Sequence, residues 1–270
     1  MTATTLHVLG SGSKGNAFAI RHEDAVILID AGFSATEIER RCATAGVPLE
    51  GLIGIAITHE HGDHAAGAAI LAARHKVPLL TSPGTWAALS PDRRVTHRPL
   101  SAATRVEVGP FTLLACPTSH DAAEPVAIAV ELADGASCAF AYDLGRPTSA
   151  VRYLLRDRTV LVLEANHDEV RLRTSSYPPS VQQRIGGSAG HLSNRAAAEL
   201  LAELHHSGLS AVVLAHLSER CNDEAEALAA IEPSLRAAGF TGLLACAPQH
   251  RPMAPIAVAP PTHAQTTLRF

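Results

Sequence analysis

Little in this sequence ties it to an oxidising compartment, a membrane or a polyanion. Five cysteines, Cys42, Cys116, Cys138, Cys221 and Cys246, are spread over 270 residues. Their odd number and the lack of any C-x-x-C pair argue against a disulfide framework and a zinc ribbon. The first nine residues carry neither the basic nor the apolar region of a secretory signal, and no apolar run is long enough to span a bilayer. The expected setting is a reducing cytoplasm, without membrane contact. An excess of positive charge is missing too. The net charge is −4, whereas phosphate affinity normally comes with a clustered basic surface. Lysine is almost absent, Lys14 and Lys76 being the only two. Arginine, which carries the remaining positive charge, suits bidentate phosphate contacts, although a bias in genome composition produces the same pattern more simply.

What is present is an ordinary globular composition, 47% hydrophobic and 18% charged, in a chain long enough to bury a substantial core. Segments with β patterning at 6–9, 17–21 and 25–29 open it. Residues 36–45 have helical character and 53–57 form a buried apolar run. Residues 63–74 read as one alanine-rich helix, 77–80 as a strand and 84–89 as a helix after Pro83. Between 105 and 142, apolar or alternating runs broken by Gly109-Pro110 and Asp134-Gly135 predict antiparallel strands. Helices at 149–156, 194–205 and 224–238 then alternate with strands at 160–163, 211–215 and 243–245. This order predicts an α/β chain of two packed sheets covered outside by helices. On this reading residues 1–250 form a single domain, and the Pro/Ala/Thr-rich stretch 251–270 is a loosely held tail.

Fifteen histidines make chance clusters ordinary. The run His59-Glu60-His61-Gly62-Asp63-His64 is more specific, because it brings three imidazoles and a carboxylate to the end of a predicted strand just before a helix. Such a corner aims its side chains into one small volume, and imidazole nitrogen with carboxylate oxygen is a donor set for Zn²⁺ or Mn²⁺. H-x-H-x-D-H is the signature of the metallo-β-lactamase superfamily, which the chain resembles. Thr118-Ser119-His120 is similar to the family's third motif, Tyr142-Asp143-Leu144-Gly145 to its fourth and Leu214-Ala215-His216-Leu217-Ser218 to its fifth. They occur in the family's order, each after an apolar run. The resemblance implies an αββα four-layer sandwich and two divalent ions, Zn²⁺ or Mn²⁺. His59, His61 and His120 would hold one ion, Asp63, His64 and His216 the other, and Asp143 would bridge them. Two such ions share and activate a hydroxide as the nucleophile, which Asp63 would orient. The implied reaction class is hydrolysis.

The spacing narrows the substrate. Many true β-lactamases of this fold have cysteine where Asp143 stands. Too little chain follows 224–238 for the helical domain of glyoxalase II-like thioesterases. Asp143 and His216 lie 73 residues apart, too close for the inserted domain of the β-CASP nucleases. Within that interval Leu163-Glu164-Ala165-Asn166-His167 resembles the H-E-A-T region of tRNase Z, and Gly190-His191-Leu192-Ser193-Asn194 its G-H-S-T loop. The resemblance implies that Glu164 and His191 protonate the leaving oxygen of a phosphodiester. Ser193 or Asn194 also fits as the N-cap of the following helix.

Over nearly the whole chain to about residue 250 the pattern resembles the YycJ/WalJ group. Gly10-Ser11-Gly12-Ser13-Lys14-Gly15-Asn16, Leu28-Ile29-Asp30-Ala31-Gly32, Ser119-His120-Asp121-Ala122, Asn166-His167-Asp168, Tyr177-Pro178 and Arg184-Ile185 carry the likeness. Cys221 before Asn222, and Ala141 where threonine is usual, depart from the group without touching an expected ligand. The group implies a metal-dependent 5′-to-3′ exonuclease acting on DNA. Ser13 and Asn16, in a loop whose amides can form an anion nest, are candidate substrate contacts, as are His167, Arg184, Ser193 and Asn194. For the loop an ordinary turn, and for Arg184 a surface arginine, are equally open. A small-molecule esterase, lactonase or cyclic-phosphate diesterase on the same centre is the alternative, and a non-enzymatic metal or partner-binding protein the third.

Overall fold

A computed structural model of the chain describes residues 4–261. Two seven-stranded sheets lie face to face. The first comprises β1 (Thr4–Gly10), β2 (Ala17–His22), β3 (Ala25–Ile29), β4 (Leu52–Ala56), β5 (Leu79–Thr81), β6 (His97–Pro99) and β14 (Ile256–Val258), in the order β14-β1-β2-β3-β4-β5-β6. The second comprises β7 (Arg105–Val108), β8 (Phe111–Pro117), β9 (Val126–Glu131), β10 (Ser137–Ala141), β11 (Val160–Glu164), β12 (Ala211–Ala215) and β13 (Leu243–Cys246), in the reverse order. Each sheet is antiparallel on one side and parallel on the other, where strands alternate with crossover helices. These helices are α1 (Ala35–Thr44), α2 (Gly62–Ala65), α3 (Ala68–His75) and α4 (Pro83–Leu89) on the first half. On the second half they are α5 (Ser149–Leu155), α6 (Glu169–Thr174), α7 (Pro179–Ile185), α8 (Asn194–Leu204) and α9 (Glu224–Ala237).

Strand alternation explains the layers, because successive side chains point to opposite faces. Val8, Phe18, Ile20 and Ile27 of the first sheet meet Leu113, Ile128, Phe140 and Val213 of the second in the central core. The intervening residues Ala19, Val26, Leu28 and Ile55 face Ile38 of α1 and Leu71 of α3. On the other side, Ala139, Leu161, Leu163 and Val212 face Leu155 of α5, Leu201 of α8 and Ile231 of α9. The fold is the expected αββα sandwich.

Three local expectations change. The segment expected to be one helix at 63–74 is broken into α2 and α3. Gly67 at the break donates its N–H to Ala31 O, and a Cβ there would sit 2.4 Å from Phe33 O. The chain leaving β3 crosses too closely for a continuous helix. The tail expected from Arg251 is in part a strand: β14 pairs antiparallel with β1, Thr4 opposite Val258 and Leu6 opposite Ile256. It covers what would otherwise be an open sheet edge, and Ile256 and Val258 enter the central core. The remainder of that tail, 262–270, lies outside the described residues. Finally, α6 and α7 occupy the stretch read only for its motifs. They are short, and α7 buries no residue, so they lack the apolar periodicity that marks a helix.

Strand ends converge on one edge. Val126 N–H of β9 donates to Thr58 O beyond β4, joining the two sheets there, and Gly32 closes the corner after β3. A Cβ on Gly32 would lie 1.8 Å from Asp63 O. Replacing Gly32 by Ala is therefore expected to displace the His61–His64 turn. It should lower unfolding free energy by about 1–3 kcal/mol in urea titrations and weaken metal uptake in the folded fraction.

Candidate metal centre

The seven expected ligands come together at that edge. His59, His61, Asp63 and His64 follow β4, His120 follows β8, Asp143 follows β10 and His216 follows β12. Asp143 and His216 have φ of 52° and 54°, and Asp30 after β3 has 57°. Left-handed backbone just beyond a strand's end stops the ladder abruptly and turns the side chain across the sheet edge. Asp and His tolerate it better than most residues do.

Donor atoms of His59, His61 and His120 lie within 4.8 Å of one another, as do those of Asp63, His64 and His216. Asp143 stands between the sets. Its Oδ2 is 2.6 Å from His64 Nε2 and 3.7 Å from His59 Nε2, and its Oδ1 is 3.0 Å from His216 Nδ1 and 3.9 Å from His120 Nε2. A further grouping joins Asp143, Glu164, His191 and His216. Asp143 Oδ2 and His216 Nε2 are buried without a properly aligned hydrogen bond. Orphaned polar atoms of this kind are costly; here a divalent cation would satisfy both, and the all-nitrogen and oxygen donor set suits one.

Partners outside the cluster select which ring nitrogen faces it. His64 Nδ1 donates to Asp30 Oδ2 at 2.7 Å, and His120 Nδ1 lies 3.2 Å from Gly190 O. With Nδ1–H engaged, Nε2 is the nitrogen each ring turns toward the centre, free to ligate once it carries no proton. Asp30, fully buried, also accepts from Thr58 N–H, Thr58 Oγ1 and the Tyr142 hydroxyl. Burial, with Asp30 beside it, holds the Tyr142 phenol well above its usual range, so it remains a donor. In the sequence Asp30 stands out only as part of a group motif. A lone acid at the end of an apolar strand is the available signal, but its donors lie 28, 34 and 112 residues away.

Charge is divided unevenly across the cluster. Burial drives His59 well below the ordinary imidazole value and also lowers His120. Burial acts in the same direction on His64 and His216, but Asp143 and the other carboxylates outweigh it and hold both well above. Against the cost of burial, His216 and His64 keep Asp63 and Asp143 ionised, well below the carboxylate range.

Beside the candidate ligands, His191 Nδ1 donates to Glu164 Oε1 at 2.8 Å and lies 3.1 Å from Asp143 Oδ1. Glu164 is fully buried, and its Oε2 accepts from Leu144 N–H and Leu192 N–H. Burial disfavours its charge, but His191 and His216 bring it down to about 2. Burial likewise opposes a charged His191, yet Glu164 and Asp143 push it up to about 9.

The expected substrate contacts fare differently. A cavity of about 190 Å³ opens over the cluster, and exposed Ser13 and Arg184 line it. Arg184 is paired with Asp121 at 2.8 Å. Asn16 and Asn194 do not reach this opening. Asn16 is fully buried, accepting from Ser11 Oγ and lying 3.2 Å from His64 Nε2, so it braces the ligand turn. Asn194 is tied to Asn222, whose amide also holds Ala165 O and Asn166 O. Ser193 caps α8 by accepting from Ala196 N–H. His167 lines a separate cavity with Ser193. The Gly10–Asn16 loop is a brace too: Ser11 Oγ accepts from His216 N–H. Asn222 and Tyr177 are the neighbours that sequence reading left without a role. Tyr177 lines the metal cavity, with the Arg220 guanidinium 4.7 Å over its ring.

Among the described residues all five cysteines are free and buried, and no helix is long and apolar enough to cross a membrane. Residues 26–217 match the family model described as a beta-lactamase superfamily domain. Exodeoxyribonuclease YycJ of Bacillus anthracis is 30% identical over 239 residues, 86% of this chain and 89% of that protein. Exodeoxyribonuclease WalJ of Streptococcus pneumoniae is 30% identical over 80% of this chain and 82% of that protein. The metallo-beta-lactamase fold protein YhfI from Bacillus subtilis shares the fold, with a TM-score of 0.70 at 17% identity over 94% of this chain and 99% of its own. With the sandwich, the clustered donors and these likenesses together, the chain belongs to the metallo-β-lactamase superfamily, as a metal-dependent hydrolase of its YycJ/WalJ group.

Proposed function

We propose that this chain is a dinuclear metal-dependent phosphodiesterase that removes nucleotides from the 5′ end of DNA. The observation that carries this reading is the Glu164–His191 pair, 2.8 Å apart beside Asp143, with the imidazole held up to about 9. His59, His61 and His120 would hold one ion, Asp63, His64 and His216 the second, and Asp143 would touch both; Zn²⁺ and Mn²⁺ both fit this set. Bound there, such ions supply Lewis acidity and activated water. The names of YycJ and WalJ, exodeoxyribonucleases, support DNA as substrate.

The chain's own residues supply what the ions do not. His191 is protonated at neutral pH and partly exposed to the cavity, so it can donate to the oxygen that leaves phosphorus. Glu164 lowers the cost of holding that proton in a buried place and orients the ring through Nδ1, which leaves Nε2–H as the outward donor. Asp63, partly exposed at the cavity floor, orients the attacking water. Ser13 and Arg184 line the opening where a phosphodiester's non-bridging oxygens would lie.

A second reading, a small-molecule esterase or cyclic-phosphate diesterase, draws on the rim. Arg184 is neutralised by Asp121 and Lys14 by Glu219, which lowers the charge these two side chains offer a polyanion.

With Mn²⁺, the purified protein is expected to release mononucleotides from 5′-phosphorylated duplex DNA. Faster turnover of lactones or chromogenic phosphodiesters than of any oligonucleotide would move the assignment to the second reading. Asp63→Ala should abolish release. His191→Ala should lower kcat by about 10²–10⁴-fold at near-normal metal content, and metal loss in that variant would show His191 to be a ligand instead.

Metal loading gives an independent check. His64 and His216 carry protons in the metal-free protein near neutral pH and must shed them to ligate, whereas His59 and His120 are already neutral. Uptake should therefore release about two protons per chain, read by calorimetry in buffers of different ionisation enthalpy. Apparent affinity should rise with pH across the neutral range; a pH-independent affinity would contradict this charge assignment.

A further inference from the structure

We propose that the cavity between α6, α7 and the first turn of α8 seats the base and sugar of the 5′-terminal nucleotide that departs in phosphodiester cleavage; the inference rests on the phosphodiesterase reading above. This cavity measures about 650 Å³, much larger than the opening over the metal cluster. The His191 ring lines both. In the cleavage, water's oxygen bonds to phosphorus, the P–O3′ bond breaks, the 3′-oxygen takes the His191 proton and the surplus water proton passes to solvent. For release from a 5′ end, that 3′-oxygen belongs to the terminal nucleotide. The group attached to it therefore departs on the His191 side, where the larger cavity begins.

The lining suits a flat heterocycle with its sugar, and Arg173 and His191 stand as cations at its edge. Leu172, Pro179, Leu192 and Ala196 give apolar walls. The one carboxylate, Glu169, is already held by Ser193 Oγ and Arg195. His167, 2% exposed, makes no side-chain hydrogen bond among the described residues, and its Nδ1 is sealed from solvent without a partner. Gln182 uses its amide nitrogen on Ser175 O and Tyr177 O, which leaves its carbonyl oxygen free. A volume within the roughly 300–1,000 Å³ of small-molecule sites, with apolar faces and a few polar edge groups, suits a nucleobase with its sugar. A bare phosphate would leave most of it empty.

Two cavity-filling variants test this. Ala196→Trp fills it from α8, and Gln183→Trp fills it from α7, a helix without buried residues that tolerates substitution. With a 5′-phosphorylated oligodeoxynucleotide both should raise KM by about tenfold or more. Turnover of bis(p-nitrophenyl) phosphate, which carries no nucleoside, should stay within about twofold of wild type. Loss of that turnover in Ala196→Trp would mark a misfolded variant and leave Gln183→Trp to decide. Deoxyadenosine should bind the metal-free wild-type protein, read by NMR shifts, and fail to bind either variant. An unchanged oligonucleotide KM in Gln183→Trp overturns the cavity assignment while leaving the phosphodiesterase reading intact. Deoxyadenosine binding displaced by tryptophan, in a protein that releases no nucleotide from any oligonucleotide, overturns the phosphodiesterase reading and keeps a nucleoside site.

Discussion

The Asp30 carboxylate is the constraint on which the rest of the site depends. It is buried completely at the end of β3, where an unpaired charge would cost several kcal/mol. Four donors meet it: the Thr58 N–H and hydroxyl, His64 Nδ1 and the Tyr142 hydroxyl. Thr58 leads into the histidine run, His64 sits in α2, and Tyr142 leaves β10 of the opposite sheet. One carboxylate thus ties the ends of both sheets together and sets the tautomer of a candidate ligand. Removing it would strand three buried side-chain donors at once. A site built this way is rigid because its charge balance would fail if any strand end moved.

The same logic runs through the cluster itself. In the metal-free protein the positive charge that half-buried Asp63 and buried Asp143 and Glu164 require is supplied by protons on His64, His216 and His191. His59 and His120, farther from the carboxylates, lose their charge to burial. Cations entering the two ligand sets would replace the protons on His64 and His216. His191 differs, since its Nδ1 is engaged by Glu164 and its ring opens to solvent. One cluster of similar residues is thereby divided into groups that give up protons to a metal and a group able to give one to a substrate.

Much of this was legible in the chain. Motifs at strand ends carried the candidate ligands to one edge because period-two apolar runs locate strands reliably and the side chain just beyond each one must turn into the sheet edge. The layers followed from the order of strands and helices. What failed was decided by contacts distant in sequence. Gly67 breaks a helix because Phe33 passes beside it, β14 forms because β1 has a free edge, and Asn16 is buried by the turn it supports. No local pattern at those positions records the partner. Asp30 and Asn222 were similarly silent: a buried acid or amide becomes informative only when its donors and acceptors are seen.

The substrate side is built on a different principle. The candidate ligands stand on strand ends locked by backbone ladders and buried carboxylates, whereas α7 carries no buried residue and lies between Pro178 and Gly186. Its attachments are few: the Arg184 pair with Asp121, the Gln182 bonds to Ser175 and Tyr177, and the His191 N–H to Ile185 O. The proposed chemistry needs precision at the metal cluster, since small displacements there cost rate steeply. On the phosphodiesterase proposal, a polymer would enter and a product leave on the α7 side, where a segment held by polar contacts would open at lower cost, because elements with few buried apolar contacts have low local stability. The chain joins the two regimes at His191, which is anchored to Glu164 on one side and lines both cavities on the other.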